Sequence, residues 1–270
     1  MSNPMSSVEP WSLVAEGYAK NTQQFLSEFS LEAARRIAPG PNDVILDVAA
    51  GPGTLAIPLS RSVKTIHAID FSEKMIEHLK AAISETHSHN VIAEVMDGQN
   101  LRFPENGFDA AFSMFGLMFF PDKAKGFSEI YRVLKPGKRA AVSSWAPVSR
   151  SPLMQLLFGA LRAANPEIPP PQTNPASLEN PDFFREQFVL AGFTEIEIVP
   201  FSHSMEVIGA EEFLETMIEG NAPLQWMKRN MDETTWIEKK EIMLSHLRKN
   251  LSDLPVSLSS EAYLGIAKKP

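Results

Sequence analysis

Val44-Ile45-Leu46-Asp47-Val48-Ala49-Ala50-Gly51-Pro52-Gly53-Thr54 decides how this chain reads. A β-branched and aliphatic run of this kind suits a strand buried on both faces, and it leads straight into glycines. Glycine lets the backbone turn tightly and approach a ligand closely, and a helix predicted over residues 54–62 would present free N–H groups behind the turn. The loop therefore reads as a cofactor cradle at the carboxyl end of a strand. Taken alone, Gly51-x-Gly53-x-x-Ala56 fits the dinucleotide fingerprint, with Asp70 at the end of the next strand where a ribose-binding acid belongs. Two features argue against a dinucleotide. Asp47 precedes the glycines inside the strand, and a third acid, Asp97, closes the third strand. Acids at three consecutive strand ends suit a ligand carrying an ammonium group, a ribose diol and an adenine amine.

Outward from this loop, between residues 43 and about 146, short β-branched runs alternate with amphipathic stretches, which is the pattern of βαβ units and a parallel sheet. Strands are predicted over 43–49, 64–70, 91–97, 108–115 and 138–145. Helices are predicted over 54–62, over 72–86 with Ser72 as N-cap, and over 123–134, closed by Lys135-Pro136-Gly137. Upstream, residues 11–37 read as one or two helices, with Tyr18, Phe25, Phe29 and Ile37 at roughly helical spacing, placed to cap the sheet edge or cover a ligand. Downstream, 151–164 is an apolar helix. Residues 165–180 hold Pro166, Pro169, Pro170, Pro171 and Pro175, which forbid regular structure, and read as an insertion. A helix over 181–191 ends at Gly192, 194–201 alternates like a strand, 211–219 and 234–249 are helical, and 262–269 is a last strand.

The chain has 270 residues, 44% of them hydrophobic, enough for a full core. Cysteine is absent, which excludes disulfides, thiolate–zinc sites and a cysteine nucleophile. A formal charge of −8 with acids spread along the chain leaves no basic surface to neutralise phosphates, so nucleic acid is not an expected partner. Met1 to Trp11 lacks the pattern of a signal peptide, and no apolar run reaches the ~20 residues of a membrane span; a soluble, cytoplasmic protein is expected. His87-Ser88-His89 sits in a polar loop without nearby carboxylates and reads as solvated rather than metal-binding, so no metal is expected. His67 reads as a core or rim residue, and His203, just past the 194–201 strand, is the one histidine considered for catalysis on the substrate side.

Five motifs in order carry a resemblance: Ile45 to Gly53, Ile66-His67-Ala68-Ile69-Asp70-Phe71-Ser72-Glu73-Lys74-Met75, Val95-Met96-Asp97-Gly98, Gly107 to Ser113, and Glu129-x-x-Arg132-Val133-Leu134-Lys135-Pro136-Gly137-Lys138. They resemble the motifs of class I S-adenosylmethionine-dependent methyltransferases, in the ubiquinone/menaquinone-biosynthesis-like branch that acts on small molecules. The resemblance implies an α/β fold: a Rossmann-like seven-stranded, mostly parallel sheet with its last strand antiparallel, helices on both faces and a helical lid. It implies a helical cap over 1–40, the Rossmann-like domain over 41–149 and 181–270, and lid or substrate-binding elements from 150–180 plus 210–250 that set substrate choice. S-adenosylmethionine would be the cofactor and S-adenosylhomocysteine its product. Asp47 and the loop of Ala49, Ala50, Gly51 and Gly53 would hold the methionine moiety, and Asp70 both ribose hydroxyls. Phe71 and Met75 would flank the adenine, Asp97 would accept from its amine, and the Gly98 N–H would meet a ring nitrogen. Ser113, at the fourth strand's end, would lie beside the amino acid group and sulfonium, Phe115 would belong to the same cofactor site, and Tyr18 would close over the cofactor carboxylate.

Two departures stand out. Ala49 replaces the loop's usual first glycine, and Gly116-Leu117-Met118-Phe119 replaces a histidine pair common among relatives, which makes that wall apolar. Methyl transfer from a sulfonium is an in-line displacement needing alignment and exclusion of water more than an acid, so no catalytic residue is assigned. Met114, Phe115, Met118, Phe119, Phe120, Met154, Phe158, Met217, Trp226 and Met227 favour a small apolar or aromatic acceptor if they line the pocket rather than the core. The acceptor atom and the choice of monomer or homodimer stay open. Two other readings stand beside this one. A nicotinamide-dependent oxidoreductase would share the glycine loop but needs a Tyr/Lys or His/Asp hydride site that the sequence does not offer. A catalytically silent, methyltransferase-like binding protein would keep the acids without the chemistry. An RNA methyltransferase is disfavoured by charge and by Ser113-Met114-Phe115-Gly116 standing where an Asn/Asp-Pro-Pro-aromatic motif would be.

Overall fold

In the computed structural model, which describes residues 3–270, strand β1 (Val44–Val48) lies at the centre of the sheet because both its faces are apolar. Ile45 joins Ile66, Ala110 and Phe112 on one side, whereas Leu46 and Val48 join Ile69, Phe127 and Ile130 on the other. The remaining strands are β2 (Thr65–Asp70), β3 (Val91–Val95), β4 (Phe108–Ser113), β5 (Leu134–Trp145), β6 (Thr194–Val207) and β7 (Val256–Lys268). Their order is β3-β2-β1-β4-β5-β7-β6, with β1 to β5 parallel and β7 antiparallel to both neighbours. The chain reverses its winding between β1 and β4, so a crevice opens at the carboxyl ends of those strands.

Helices cover both faces. Helix α1 (Val8–Gly17) passes through a π-helical turn, Tyr18–Thr22, into α2 (Gln23–Ile37); α3 (Ala56–Leu59) and α4 (Glu73–Thr86) follow β1 and β2. Leu26, Phe29 and Ala33 of α2 and Ile76 and Leu79 of α4 pack on one face of the sheet. On the other face lie Phe127 and Ile130 of α5 (Lys123–Val133) and Phe184 and Phe188 of α7 (Pro181–Ala191), with α6 (Pro152–Ala164) between them in sequence. A third cluster joins α6 to α8 (Ala210–Gly220) and to α10 (Glu233–Asn250), which follows α9 (Ala222–Arg229). Caps fix these starts: the Ser72 hydroxyl accepts from Met75 N at 3.3 Å, and the Asp122 carboxylate from Lys125 N at 2.9 Å. Gly192, at φ 98°, ends α7.

Several boundaries differ from the sequence reading. The helix predicted over 54–62 shortens to α3 and a 3-10 turn, since Pro58 offers no N–H to a longer ladder. Strand β5 begins directly at Leu134, paired with Phe108, rather than after the Lys135-Pro136-Gly137 turn. Strands β6 and β7 form long arms reaching Val207 and starting at Val256, where alternating serines mask the strand pattern. Helix α9 had no predicted counterpart; the Asn221 side chain caps it by accepting from Leu224 N at 3.1 Å. Among the described residues, no helix is long and apolar enough to cross a membrane.

Candidate active site

The carboxyl ends of β1 to β4 open onto a cavity of about 300 Å³. Each strand delivers a piece of its wall: Ala49 and Gly51 after β1, Asp70 and Phe71 after β2, Met96 to Gln99 after β3, and Met114 to Gly116 after β4. Met75 of α4 completes the floor. The roof comes from the amino-terminal segment, Met5, Ser6, Trp11 and Tyr18, and from Phe119 to Pro121. Roof and wall are pinned together: Ser6 Oγ donates to Phe119 O at 2.7 Å, the Trp11 and Phe119 rings lie 4.9 Å apart, and the Ser12 and Ser72 hydroxyls are 3.0 Å apart. A narrower cavity of about 20 Å³ continues inward past Tyr18, Ala49 and Gly51 to Asp47, Ala50 and Thr54.

Two buried carboxylates dominate the electrostatics. Asp70 accepts from Gly51 N at 3.0 Å and from Ser72 N at 2.9 Å, yet burial still pushes its carboxyl up to about 6. Asp47 is pushed further, to about 8, by burial first and by the charge of Asp70 second, with the Ala56 N–H drawing it partly back. Its Oδ2 has no hydrogen-bond partner. The half-buried Tyr18 hydroxyl is raised by its surroundings and by Asp70. No lysine, arginine or histidine lines either cavity. An acidic pair buried without a counter-cation complements a ligand that brings its own positive charge. It also opposes a dinucleotide, because Asp47 places a carboxylate beside the N–H groups at the start of α3 that a pyrophosphate would need.

The third acid is different. Asp97 is exposed, and its Oδ1 accepts from Gln99 N at 2.8 Å and from Gln99 Nε2 at 3.2 Å, while Gln99 Oε1 accepts from Asp122 N at 3.0 Å. Gly98 beside it is needed for space: a Cβ there would lie 2.6 Å from Phe120 Cζ and 2.7 Å from Val48 Cγ1. The alanine at the head of the loop has a matching concession. Ala49 holds φ 58°, a region that favours glycine, and a Cβ on Gly116 would stand 2.3 Å from the Ala49 Cβ. The two departures noted in the sequence are thus one packing event: the methyl group at 49 fits because position 116 has none.

Of the residues singled out from sequence, Tyr18, Asp47, Ala49, Ala50, Gly51, Asp70, Phe71, Met75, Asp97, Gly98 and Phe115 line one or both cavities. Three do not. Gly53, at φ 97°, sits behind the loop, where a Cβ would meet Leu79 Cδ1 at 2.6 Å and Ile57 Cγ1 at 2.8 Å. Ser113 is fully buried with its Oγ accepting from Leu117 N at 3.2 Å, so it closes the turn after β4 instead of facing a ligand. His203 packs its ring 5.2 Å from Phe25 and 6.2 Å from Phe29 and reaches neither cavity. His67 is wedged between Phe103 and Phe108, and burial lowers its imidazole. Among the described residues, none of 150–180 or 210–250 lines these two cavities. Those elements converge on a third one of about 70 Å³, lined by Leu153, Met154, Met217 and Asn221 together with Leu26 and Trp145. Met5 and Ser6 were not anticipated, since nothing local marks a segment that reaches the site only through the tertiary fold, and Gln99 was passed over beside Gly98; Trp11 opens the 11–37 stretch read as a possible cover for a ligand.

Residues 45–137 match a family model described as "Methyltransferase domain". A demethylmenaquinone methyltransferase of Corynebacterium kroppenstedtii is 41% identical over 112 residues, which is 42% of this chain and 46% of that protein. The chain thus spans about half the length of that relative. Among solved structures, the YcgJ protein of Bacillus subtilis superposes with a TM-score of 0.59 at 18% identity, covering 90% of this chain and 98% of that one. A Haemonchus contortus phosphoethanolamine N-methyltransferase, solved with S-adenosylhomocysteine and phosphomonomethylethanolamine, gives 0.55 at 19% identity over 90% of this chain and 52% of the other. At these identities the structural matches speak for the fold, and the sequence matches speak for the stretch that carries the glycine loop and Asp47, Asp70 and Asp97. Over residues 45–137 the chain thus matches a methyltransferase domain, and over a similar length it is similar to a demethylmenaquinone methyltransferase.

Proposed function

We propose that this protein transfers a methyl group from S-adenosylmethionine to a small apolar or aromatic molecule. The observation that carries the proposal is the buried Asp47–Asp70 pair, with an unpartnered Asp47 Oδ2 and no cation in the wall. These residues fit the cofactor. Asp47, Ala49, Ala50 and Gly51 would hold the methionine end beneath Tyr18, Asp70 the ribose, Phe71 and Met75 the faces of the adenine, and Asp97 with Gly98 its edge. When bound, S-adenosylmethionine supplies an electrophilic methyl group whose departure from sulfur needs no acid.

The chain's own contribution is binding, alignment and dryness. Asp47 and Asp70 offer free lone pairs in a medium where a charge-assisted hydrogen bond is strong. Met114 and Phe115 form an apolar boundary on the inner side, and the amino-terminal roof, latched by Ser6 to Phe119, shuts the outer side against water. Among the described residues, the titratable side chains in the two walls are the three aspartates and Tyr18, and the two buried acids and Tyr18 are engaged on the cofactor side. The acceptor must then arrive as a nucleophile that needs little help from a base. A relative named for demethylated menaquinone supports a ring-bearing, apolar acceptor.

Calorimetry tests the reading. S-adenosylhomocysteine should bind, and Asp70→Ala should weaken it by 10-fold or more, on the order of a lost pair of charged hydrogen bonds. Binding of NADH instead, seen as quenching of its fluorescence, would favour the oxidoreductase. A methyl-transfer screen over phenols, quinols, amines and carboxylates would then find the acceptor, and a protein that binds cofactor yet transfers to none of them would be the silent form.

A further inference from the structure

The 70 Å³ cavity lies between α2, β5, β6, β7, α6 and α8. Leu26 is the one residue that lines both this cavity and the narrow one holding Asp47, so it stands in the partition between the two spaces. Behind it, the Phe115 and Trp145 rings lie 4.3 Å apart, Phe115 facing the Asp47 side and Trp145 the other. The wall is mainly apolar: Phe25, Leu153, Met154, Met205 and Met217. Its polar side chains are mostly committed. Asn21 Nδ2 donates to Glu219 Oε2 at 2.7 Å, Thr22 Oγ1 to Gly220 O at 3.0 Å, and Asn221 Oδ1 accepts from Leu224 N at 3.1 Å.

Ser260 is the exception. It is 1% exposed, lines the cavity, and its Oγ has no partner. His203 stands opposite it in the β6–β7 register, with its ring against Phe25 and Phe29. Native proteins leave few buried hydroxyls unpaired, and one inside an otherwise apolar chamber can be satisfied by a ligand that brings a single polar atom.

We propose that this chamber receives the methyl acceptor and that Ser260 orients it, selecting a flat apolar ring with one hydroxyl or carbonyl oxygen. The proposal rests on the methyl-transfer reading and adds the acceptor's place and chemistry. Three methionines in the wall give the flexibility to enlarge a small chamber around a ring, since an unbranched thioether repacks at low cost. Withdrawal of Leu26 would join the acceptor space to the donor space. Ser260 is a positioning residue, since the atom it holds is not the atom that reacts.

The test uses the full chain labelled with 13C at its methionine methyl groups, titrated with p-cresol and with p-xylene, which replaces the hydroxyl by a methyl group. p-Cresol should shift the signals of Met154, Met205 and Met217 and spare those of Met75 and Met96 in the other cavity. Ser260→Ala should weaken p-cresol roughly five-fold, the worth of one buried hydrogen bond, and leave p-xylene and S-adenosylhomocysteine as in the wild type. Shifts confined to Met75 and Met96, no shifts at all, or equal weakening of both ring compounds would each overturn the proposal. Failure of S-adenosylhomocysteine to bind the wild type would defeat the methyl-transfer reading instead, a result that the ring titrations report separately.

Discussion

Asp47→Asn should make the ligand-free protein more stable and its cofactor binding weaker. A carboxyl that ordinarily titrates near 3.8 and is held up at about 8 keeps its proton at pH 7 when folded and loses it when unfolded. At about 1.4 kcal/mol per pH unit over roughly three units, holding that proton costs the fold on the order of 4 kcal/mol. Asparagine carries no such cost, but it sets an amide N–H where Oδ2 has no partner, a loss of about 1–3 kcal/mol. The balance is a gain of about 1–3 kcal/mol, seen as a rise in Tm of roughly 2–10 °C for a chain of this size. S-adenosylhomocysteine, whose ammonium group would lose a charged partner, should bind roughly 10- to 100-fold more weakly. Thermal scans with and without ligand, paired with calorimetry, measure both effects on one sample. A variant that is less stable than wild type, or that keeps wild-type affinity, would refute the assignment of Asp47 as a buried acid reserved for a cation.

Raised carboxyls also set a pH trend: Asp47 and Asp70 contribute stability that is present below 3.8 and lost as pH rises through about 6 and about 8. Between pH 5 and 8, urea unfolding of the ligand-free wild type should therefore show stability falling relative to Asp47→Asn; parallel curves would contradict the shift. Binding of a cationic ligand should drive the Asp47 proton off, so calorimetry at pH 7 in buffers of different ionisation enthalpy should report release of roughly one proton. Gly116→Ala should destabilise the wild type, whose Ala49 methyl group would stand 2.3 Å away, and should be largely rescued by Ala49→Gly, with a coupling of about 1–3 kcal/mol in a double-mutant cycle. Gly17→Ala would put a Cβ 2.1 Å from Glu219 O, so limited proteolysis should cut near α8 sooner than in the wild type; unchanged cleavage would show that the contact is soft.

Asp47, Asp70 and Gly98 were legible in the sequence because each stands at or near the carboxyl end of an apolar strand, and such ends in a parallel sheet all open on one crevice. Ser113 stands at such an end too, yet its hydroxyl turns inward to Leu117 N, a choice made by the geometry of the following turn and invisible in residue order. Ala49 was visible as an anomaly, whereas its compensation by Gly116 requires knowing that the loops after β1 and β4 touch. The roof residues Met5 and Ser6 gave no local signal because they reach the site through distant contacts, such as Ser6 to Phe119. The arms of β6 and β7 were underestimated since serines at 202, 204, 257, 259 and 260 weaken an apolar alternation that only the pairing register supplies.

The π-helical turn Tyr18–Thr22 has a mechanical consequence. Its first residue faces the donor cavity, and Asn21 and Thr22, one turn later, are fastened to Glu219 and Gly220 at the end of α8. A Cβ on Gly17 or Gly220 would penetrate the opposite chain, so the two backbones lie in direct contact and slide poorly. Displacing Tyr18 therefore displaces the helix that walls the other chamber, and the turn acts as a rigid lever with one arm in each space. If both spaces are occupied as proposed, a ligand on one side is expected to change the affinity on the other by the same factor in both directions, and a closed thermodynamic cycle with S-adenosylhomocysteine and p-cresol measures that factor; a factor of one would show that the turn transmits nothing.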